Sequence, residues 1–244
     1  MRTTTTLLFV TALFACSDSL CTDTRCAGAA KECCEGSPAL QKKDMCVGSA
    51  DCDACCGWVS STIPFTAQRW IDALSLEKQV FGNFLGITYS SKYEVEQLPS
   101  NFKGGKRMLN GEIYNLFTIN RSDTTQAQGG FPLHMLEGDE TYHYYTGDGP
   151  LTLFEFDLDS RTVKNISIGS TTPGCDVPQH TILGRTWTGA LLSEGTTWTL
   201  TGAGTTPGFD PRDSHMLADD AAMMVEFHNL FPNHTGLIKR LTSF

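Results

Sequence analysis

Apolar and polar positions along the chain follow three successive rhythms. Between Thr66 and Lys78, Trp70, Ile71 and Leu74 recur at helical spacing on one face. The pattern predicts an amphipathic helix over Thr66–Lys78, capped by Thr66, with Phe65 and Trp70 arranged as a hydrophobic staple. From about Leu85 to Phe209 the rhythm shortens. Runs rich in β-branched and aromatic residues (Gly86–Ser90, Glu112–Ile119, Thr141–Thr146, Leu151–Leu158, Val163–Ile168, Thr186–Leu192, Thr196–Thr201) alternate with Gly, Pro, Asp and Asn. Short strands with regular turn punctuation predict an antiparallel sandwich or barrel. Asp219–Phe231 returns to a helical period, with Met223, Met224, Phe227, Leu230 and Phe231 on one stripe that reads as core packing.

The N-terminal quarter is different in kind. Arg2 and the apolar run Leu7–Ala15, followed by small residues, predict a secretory signal over residues 1–17 and a secreted or extracellular protein. Nine of the 10 cysteines lie at or before Cys56, and Cys175 stands alone in the rest of the chain. Eight of them, Cys21, Cys26, Cys33, Cys34, Cys46, Cys52, Cys55 and Cys56, crowd a segment too short to bury a core. In an exported chain this predicts a disulfide-rich module over residues 18–59, with connectivity left open. Zinc is the rival reading for Cys52-x-x-Cys55, weakened by the absence of His from the segment. The sequons at Asn120, Asn165 and Asn233 are candidate glycosylation sites in such a compartment. Residues 60–244 then form the main domain.

With 18 Lys+Arg against 27 Asp+Glu, the net charge is -9, and no basic cluster exceeds the short Lys103–Arg107 patch. Phosphate backbones and anionic membrane surfaces are therefore poor partners, and a small molecule is the better one. The candidate chemistry concentrates between Leu133 and Pro150. Strand alternation puts His134 and Leu136 on one side, and Glu140, Tyr142 and Tyr144 on one side of the next strand. With Glu140 inward, one wall offers an imidazole, a carboxylate and two phenols. Arg185 and Trp187, near a strand start, suit contacts to a planar or anionic ligand. No nucleophile elbow, phosphate-binding loop or dinucleotide fingerprint occurs.

The spacing His134-x-Leu136-x3-Glu140-x6-Gly147 resembles the first cupin motif, with Leu136 at the second histidine and Thr188 at the His position of the second motif. Further matches (Thr88-Tyr89-x-Ser91, Glu112-Ile113-Tyr114, Asp139-Glu140-x-Tyr142-His143, Gly147-x-x-Pro150-Leu151-x-Leu153, Trp187, Thr206-Pro207-Gly208-Phe209-Asp210) make residues 67–242 similar to cupin family five. That resemblance implies a cupin-like jelly-roll β-barrel with N- and C-terminal flanking helices, and by analogy a homodimer. Two of four usual ligand positions hold groups unable to grip a transition metal, so no metal and no cofactor is expected. It also implies kinship with metal-free epimerases that use a His base and a Tyr acid. The expected function is binding of a small polar ligand, sugar-like or a carboxylated metabolite. The alternatives are a metal-free isomerase using His134, Glu140 and Tyr142, and a metal-dependent oxygenase or lyase.

Overall fold

The computed structural model describes residues 63–120, 129–170 and 176–244. The signal segment, the cysteine-rich segment from Cys21 to Cys56, and Cys175 lie outside the described residues. Among the described residues, no helix is long and apolar enough to cross a membrane.

The first helix, α1 (Phe65–Ala73), is shorter than its apolar pattern predicts. Pro64, rather than Thr66, occupies the N-cap and offers no side-chain hydrogen bond. Termination is set by Ser75, whose φ is 51°. The Ser75 N–H donates to Asp72 O at 3.2 Å and the Leu76 N–H to Ile71 O at 2.9 Å, closing a Schellman turn. Leu76 and Ile71 share one core cluster, the apolar contact that accompanies such a turn. The chain then continues as β1 (Glu77–Lys78), where the pattern had extended the helix.

The strands that follow are β2 (Phe84–Ser90), β3 (Glu94–Val95), β4 (Arg107–Met108), β5 (Gly111–Thr118), β6 (Gly130–Leu136), β7 (Asp139–Gly147) and β8 (Leu151–Asp157). After them come β9 (Thr162–Ile168), β10 (Asp176–Val177), β11 (Gln179–Ile182), β12 (Trp187–Leu192), β13 (Trp198–Thr206) and β14 (Ser214–Met216). Two six-stranded sheets result, ordered β1-β2-β5-β13-β7-β11 and β10-β9-β8-β12-β6-β14, with β3-β4 as a separate pair. This double-sheet jelly roll is the barrel the pattern implied.

Each sheet has its outer face covered by helix. On the first, Ala67, Ile71 and Leu76 pack on Phe84, Leu116, Trp198 and Leu200. On the second, α2 (Ala221–Leu230) and α3 (Thr235–Leu241) set Phe227, Phe231, Ile238 and Leu241 against Leu133, Phe156, Trp187 and Leu191. Asp220 caps α2, its side chain accepting from Met223 N at 2.9 Å. Pro232 separates α3 from α2, and the short Ile238–Leu241 spacing gave no helical period long enough to read.

The helical cover changes how β13 is buried. Thr and apolar residues alternate along it, yet Thr196 through Ala203 are all buried. Leu200 meets α1's cluster while Ala203 meets the barrel interior, so neither face reaches water.

Candidate functional site in the barrel

Between the sheets the interior divides into two ends. Phe117, Leu151, Leu153, Ile166, Ile168, Ala190 and Ala203 fill one with hydrocarbon. The other collects polar side chains, and strand register determines which. Glu155 on β8 lies opposite Thr188 on β12, and Thr188 lies opposite His134 on β6. Directly opposed residues share a face with Cβ atoms about 4.5–5.5 Å apart, so these three form a row across one wall. From the facing sheet, β7 supplies Glu140 and Tyr142, and β11 supplies His180, which lies opposite Tyr142.

A bulge aims His134. Between β6 and β12, Phe131 pairs with Ala190 and His134 with Thr188, so β6 carries one residue more than its partner. Pro132, which has no N–H for the ladder, falls within that irregular step. The extra residue turns both rings into the barrel, where Phe131 and His134 meet edge to face with centroids 4.9 Å apart. The carbonyl of Pro132 accepts from His134 Nδ1 at 2.9 Å. A carbonyl only accepts, so the neutral ring carries its proton on Nδ1 and leaves Nε2 bare.

That bare nitrogen lies 3.8 Å from Glu140 Oε2. His134 is 3% exposed and Glu140 8% exposed. Glu140 Oε2 has no hydrogen-bond partner within the protein, and neither has Thr188 Oγ1, on a residue 3% exposed. Register places Thr188 beside His134 on the face that looks toward Glu140. A second histidine–carboxylate contact also joins the sheets: His180 Nε2 and Glu155 Oε1 are 2.6 Å apart, with Lys164 Nζ 3.9 Å from Glu155 Oε2.

Tyr142 is fully enclosed, and burial followed by the negative charge of Glu140 raises its phenol well above its ordinary range. Tyr144 lies farther along the same face, half-buried, its phenol raised by burial and then by Asp148 and Asp176. His143 lies on the opposite face of β7. The two other suggested ligand contacts are placed away from the interior. Trp187 lies opposite Met135 on the helix-covered face and packs on Phe227 at 5.3 Å, so it is a core residue there. Arg185 is exposed in the turn before β12, at φ 67°, held by its N–H donating to Leu136 O at 2.7 Å. Asn165 and Asn233 are exposed and Asn120 is half-buried.

At the polar end a shallow, solvent-open cleft is lined by Phe102, Leu136, Gly138, Thr205, Pro207 and Phe209, among others. Leu136 lies two residues from His134, and Thr205 lies opposite Glu140, which puts the cleft at the His134–Glu140 end. Its floor is braced by Arg107, fully buried, which donates to both oxygens of Asp213 at 2.6 and 2.7 Å and to the carbonyls of Lys103, Gly105 and Lys106.

A family model described as Cupin superfamily (DUF985) matches residues 68–217. The chain belongs to this cupin family. Among solved structures, a hypothetical protein from Leishmania major is similar at 23% identity and a TM-score of 0.58, covering 73% of this cupin and 99% of that chain. A Shewanella oneidensis protein is similar at 21% identity and a TM-score of 0.56, covering 72% and 96%. Likeness at these identities shows the fold alone. No curated protein matches this cupin.

Many cupins hold a metal ion, and the residues of this one do not suit it. His134 and Glu140 occupy two ligand positions, but Leu136 and Thr188 stand at the others. His180 faces Glu155 instead of joining them. Among the described residues, no group of three or more His, Cys, Asp or Glu is placed to hold an ion.

Sequence reasoning singled out His134, Glu140 and Tyr142, which the fold brings together. It passed over Glu155, whose signal was available: Leu151, Leu153 and Glu155 alternate, so the carboxylate shares the face of two core leucines. Thr188 drew notice only as a missing histidine.

Proposed function

We propose that the barrel of this cupin binds a small, polar, sugar-like ligand between His134, Glu140 and Thr188, without a metal. The carrying observation is that two buried oxygens, Glu140 Oε2 and Thr188 Oγ1, lack protein partners beside a bare imidazole nitrogen. Leaving such groups unpaired costs about 1–3 kcal/mol each, and a ligand bearing hydroxyl donors offsets that cost. The acidic lining from Glu140 and Glu155 favours the sugar-like class over a carboxylated metabolite. The guanidinium of Arg107, fully engaged with Asp213, has no donor to spare for an anion.

A second reading is an isomerase or epimerase, favoured by one specific contact. The Pro132 carbonyl fixes His134 in the tautomer whose Nε2 accepts a proton, as a general base requires. Tyr142, kept protonated by burial, would serve as the acid. Export, the disulfide-bonded module, glycosylation and pairing into homodimers are part of the same proposal and rest on the sequence.

Native mass spectrometry of the purified full chain tests the binding reading. A small organic adduct is expected on the wild type and is expected to be lost on His134→Ala. An adduct equally retained by that variant would overturn the assignment.

A further inference from the structure

The outer face of the first sheet is only partly roofed. Leu116 and Tyr114 meet the cluster beneath α1, whereas Tyr89 and Tyr145, each 49% exposed, lie outside it. On this open stretch, register gathers three tyrosines around one carboxylate. Tyr89 on β2 lies opposite Glu112 on β5, and Tyr114 follows Glu112 on the same face. Tyr145 is the extra residue of β7 where its pairing with β13 shifts. Its ring meets that of Tyr114 edge to face, with centroids 5.6 Å apart. Two glycines of β13 make the room. A Cβ on Gly202 would come within 2.9 Å of the Tyr145 ring, and one on Gly204 within 3.3 Å of both Glu112 oxygens. Ring and carboxylate therefore lie down on the sheet.

We propose that this face docks a polypeptide partner through an arginine side chain, its guanidinium stacked on the tyrosines and paired with Glu112. The surface lies outside the barrel and stands apart from the ligand reading.

Charge points to the guanidinium. Among the described residues, no ion pair or hydrogen bond engages Glu112. The phenol of Tyr145 is raised by burial, then by Tyr114 and by the negative charge of Glu112, which places that charge beside the rings. A planar guanidinium meets both carboxylate oxygens at once and lays a flat face on an aromatic ring, whereas an ammonium is compact and strongly hydrated. The net charge of -9 attracts basic segments before contact.

The neighbouring backbone points to a polypeptide. β1 pairs only with Phe84 and Leu85 of β2, so among the described residues the outer edge of residues 86–90 carries no strand. Unpaired N–H and C=O groups on such an edge are a template for an added strand. Ile87 on that edge is exposed. An extended segment paired there sets alternate side chains on the tyrosine face, beside Tyr89.

Titration of the isotope-labelled full chain with three blocked pentapeptides, followed by nuclear magnetic resonance, tests the proposal. The peptides alternate threonine and valine and differ only at the centre, which is arginine, lysine or citrulline. The arginine peptide is expected to shift the amides of residues 86–90 and of Tyr145. It should bind roughly fivefold or more tightly than the citrulline peptide, which has the same shape without the charge. Glu112→Gln should bring that ratio near one, and Tyr145→Ala should weaken the arginine peptide several-fold, with both variants folded by circular dichroism. Lysine or citrulline binding as tightly as arginine overturns the guanidinium. A response confined to other amides, or none at millimolar peptide, overturns the surface. A dimer in light scattering that Tyr89→Lys dissociates would give the face to a second copy of the chain and overturn the partner.

Discussion

His134 and Glu140 belong to different sheets, yet their Nε2 and Oε2 atoms lie 3.8 Å apart, and Glu140 Oε2 has no hydrogen-bond partner within the protein. No fold requirement calls for this opposition. Hydrocarbon fills the other end of the interior, and an apolar pair here would remove a buried charge. Glu140→Gln should therefore raise the stability of the ligand-free protein. The amide can donate to His134 Nε2 and carries no charge, so a gain of about 1 kcal/mol is expected, or roughly 2–4 °C in Tm. Ligand binding should be lost. Calorimetric melting of the two proteins decides it, and a lower Tm for the variant would show that the carboxylate is already satisfied.

Thr188→Val removes the hydroxyl that has no internal partner and nearly keeps the shape. Stability should stay level or rise by about 1 kcal/mol. Affinity for the barrel ligand should fall roughly threefold to tenfold, the loss of one hydrogen bond. Urea unfolding combined with titration separates the two effects; a large loss of stability would mean the hydroxyl is structural.

The Arg107–Asp213 pair behaves in the opposite manner. Both side chains are buried and the guanidinium is bonded on every side. Asp213→Ala leaves that cation uncompensated and should cost about 3–5 kcal/mol. The double variant Arg107→Met with Asp213→Leu should recover much of the loss. Denaturant midpoints measure both, and a double variant no better than the single one would contradict the charge argument.

Acid should expose a second carboxylate at the same rim. Hydrogen bonds and charge from Arg212, ahead of the charge of Arg107, hold Asp210 well below the ordinary carboxylate range. A group depressed in the folded state adds stability above its unfolded value, near pH 4, and loses it as pH falls toward the folded value. The stability gap between wild type and Asp210→Asn should accordingly narrow from pH 5 to pH 3. A gap constant over that window would show that Asp210 acts through shape alone.

Trp187 offers a test of face. Its ring packs on Phe227 beneath α2, on the side of the sheet away from His134. Trp187→Ala should cost about 3–5 kcal/mol and leave ligand affinity within twofold, as equilibrium unfolding and titration together would reveal. A selective loss of affinity would return the residue to the site.

Much of this architecture was legible in the residues. Alternation locates most of the main strands to within one or two positions, although β13 runs five residues past Thr201 and β6 is not among the runs it marks. The His134–Glu140 spacing puts the two groups on one wall if Glu140 faces inward. What escaped was non-local. The end of α1 depends on Ser75 adopting φ 51°, and Lys78 turns into a strand because Phe84 pairs with it, neither of which periodicity encodes. Trp187 was named as a candidate ligand contact, and parity along β12 alone cannot reveal which side the C-terminal helices cover. Thr188 and Glu155 gain meaning only from register across β8, β12 and β6. The inward turn of both Phe131 and His134 needs the bulge at Pro132, of which the proline was a sign.

The most direct test is a crystal structure of the full chain at atomic resolution, purified without added ligand. A small organic molecule hydrogen-bonded to Glu140 Oε2 and Thr188 Oγ1, with His134 Nδ1 still donating to Pro132 O, is the result expected. Glu140 rotated out to bulk solvent, or hydrogen-bonded directly to His134 with the space between the sheets closed by side chains, would contradict it.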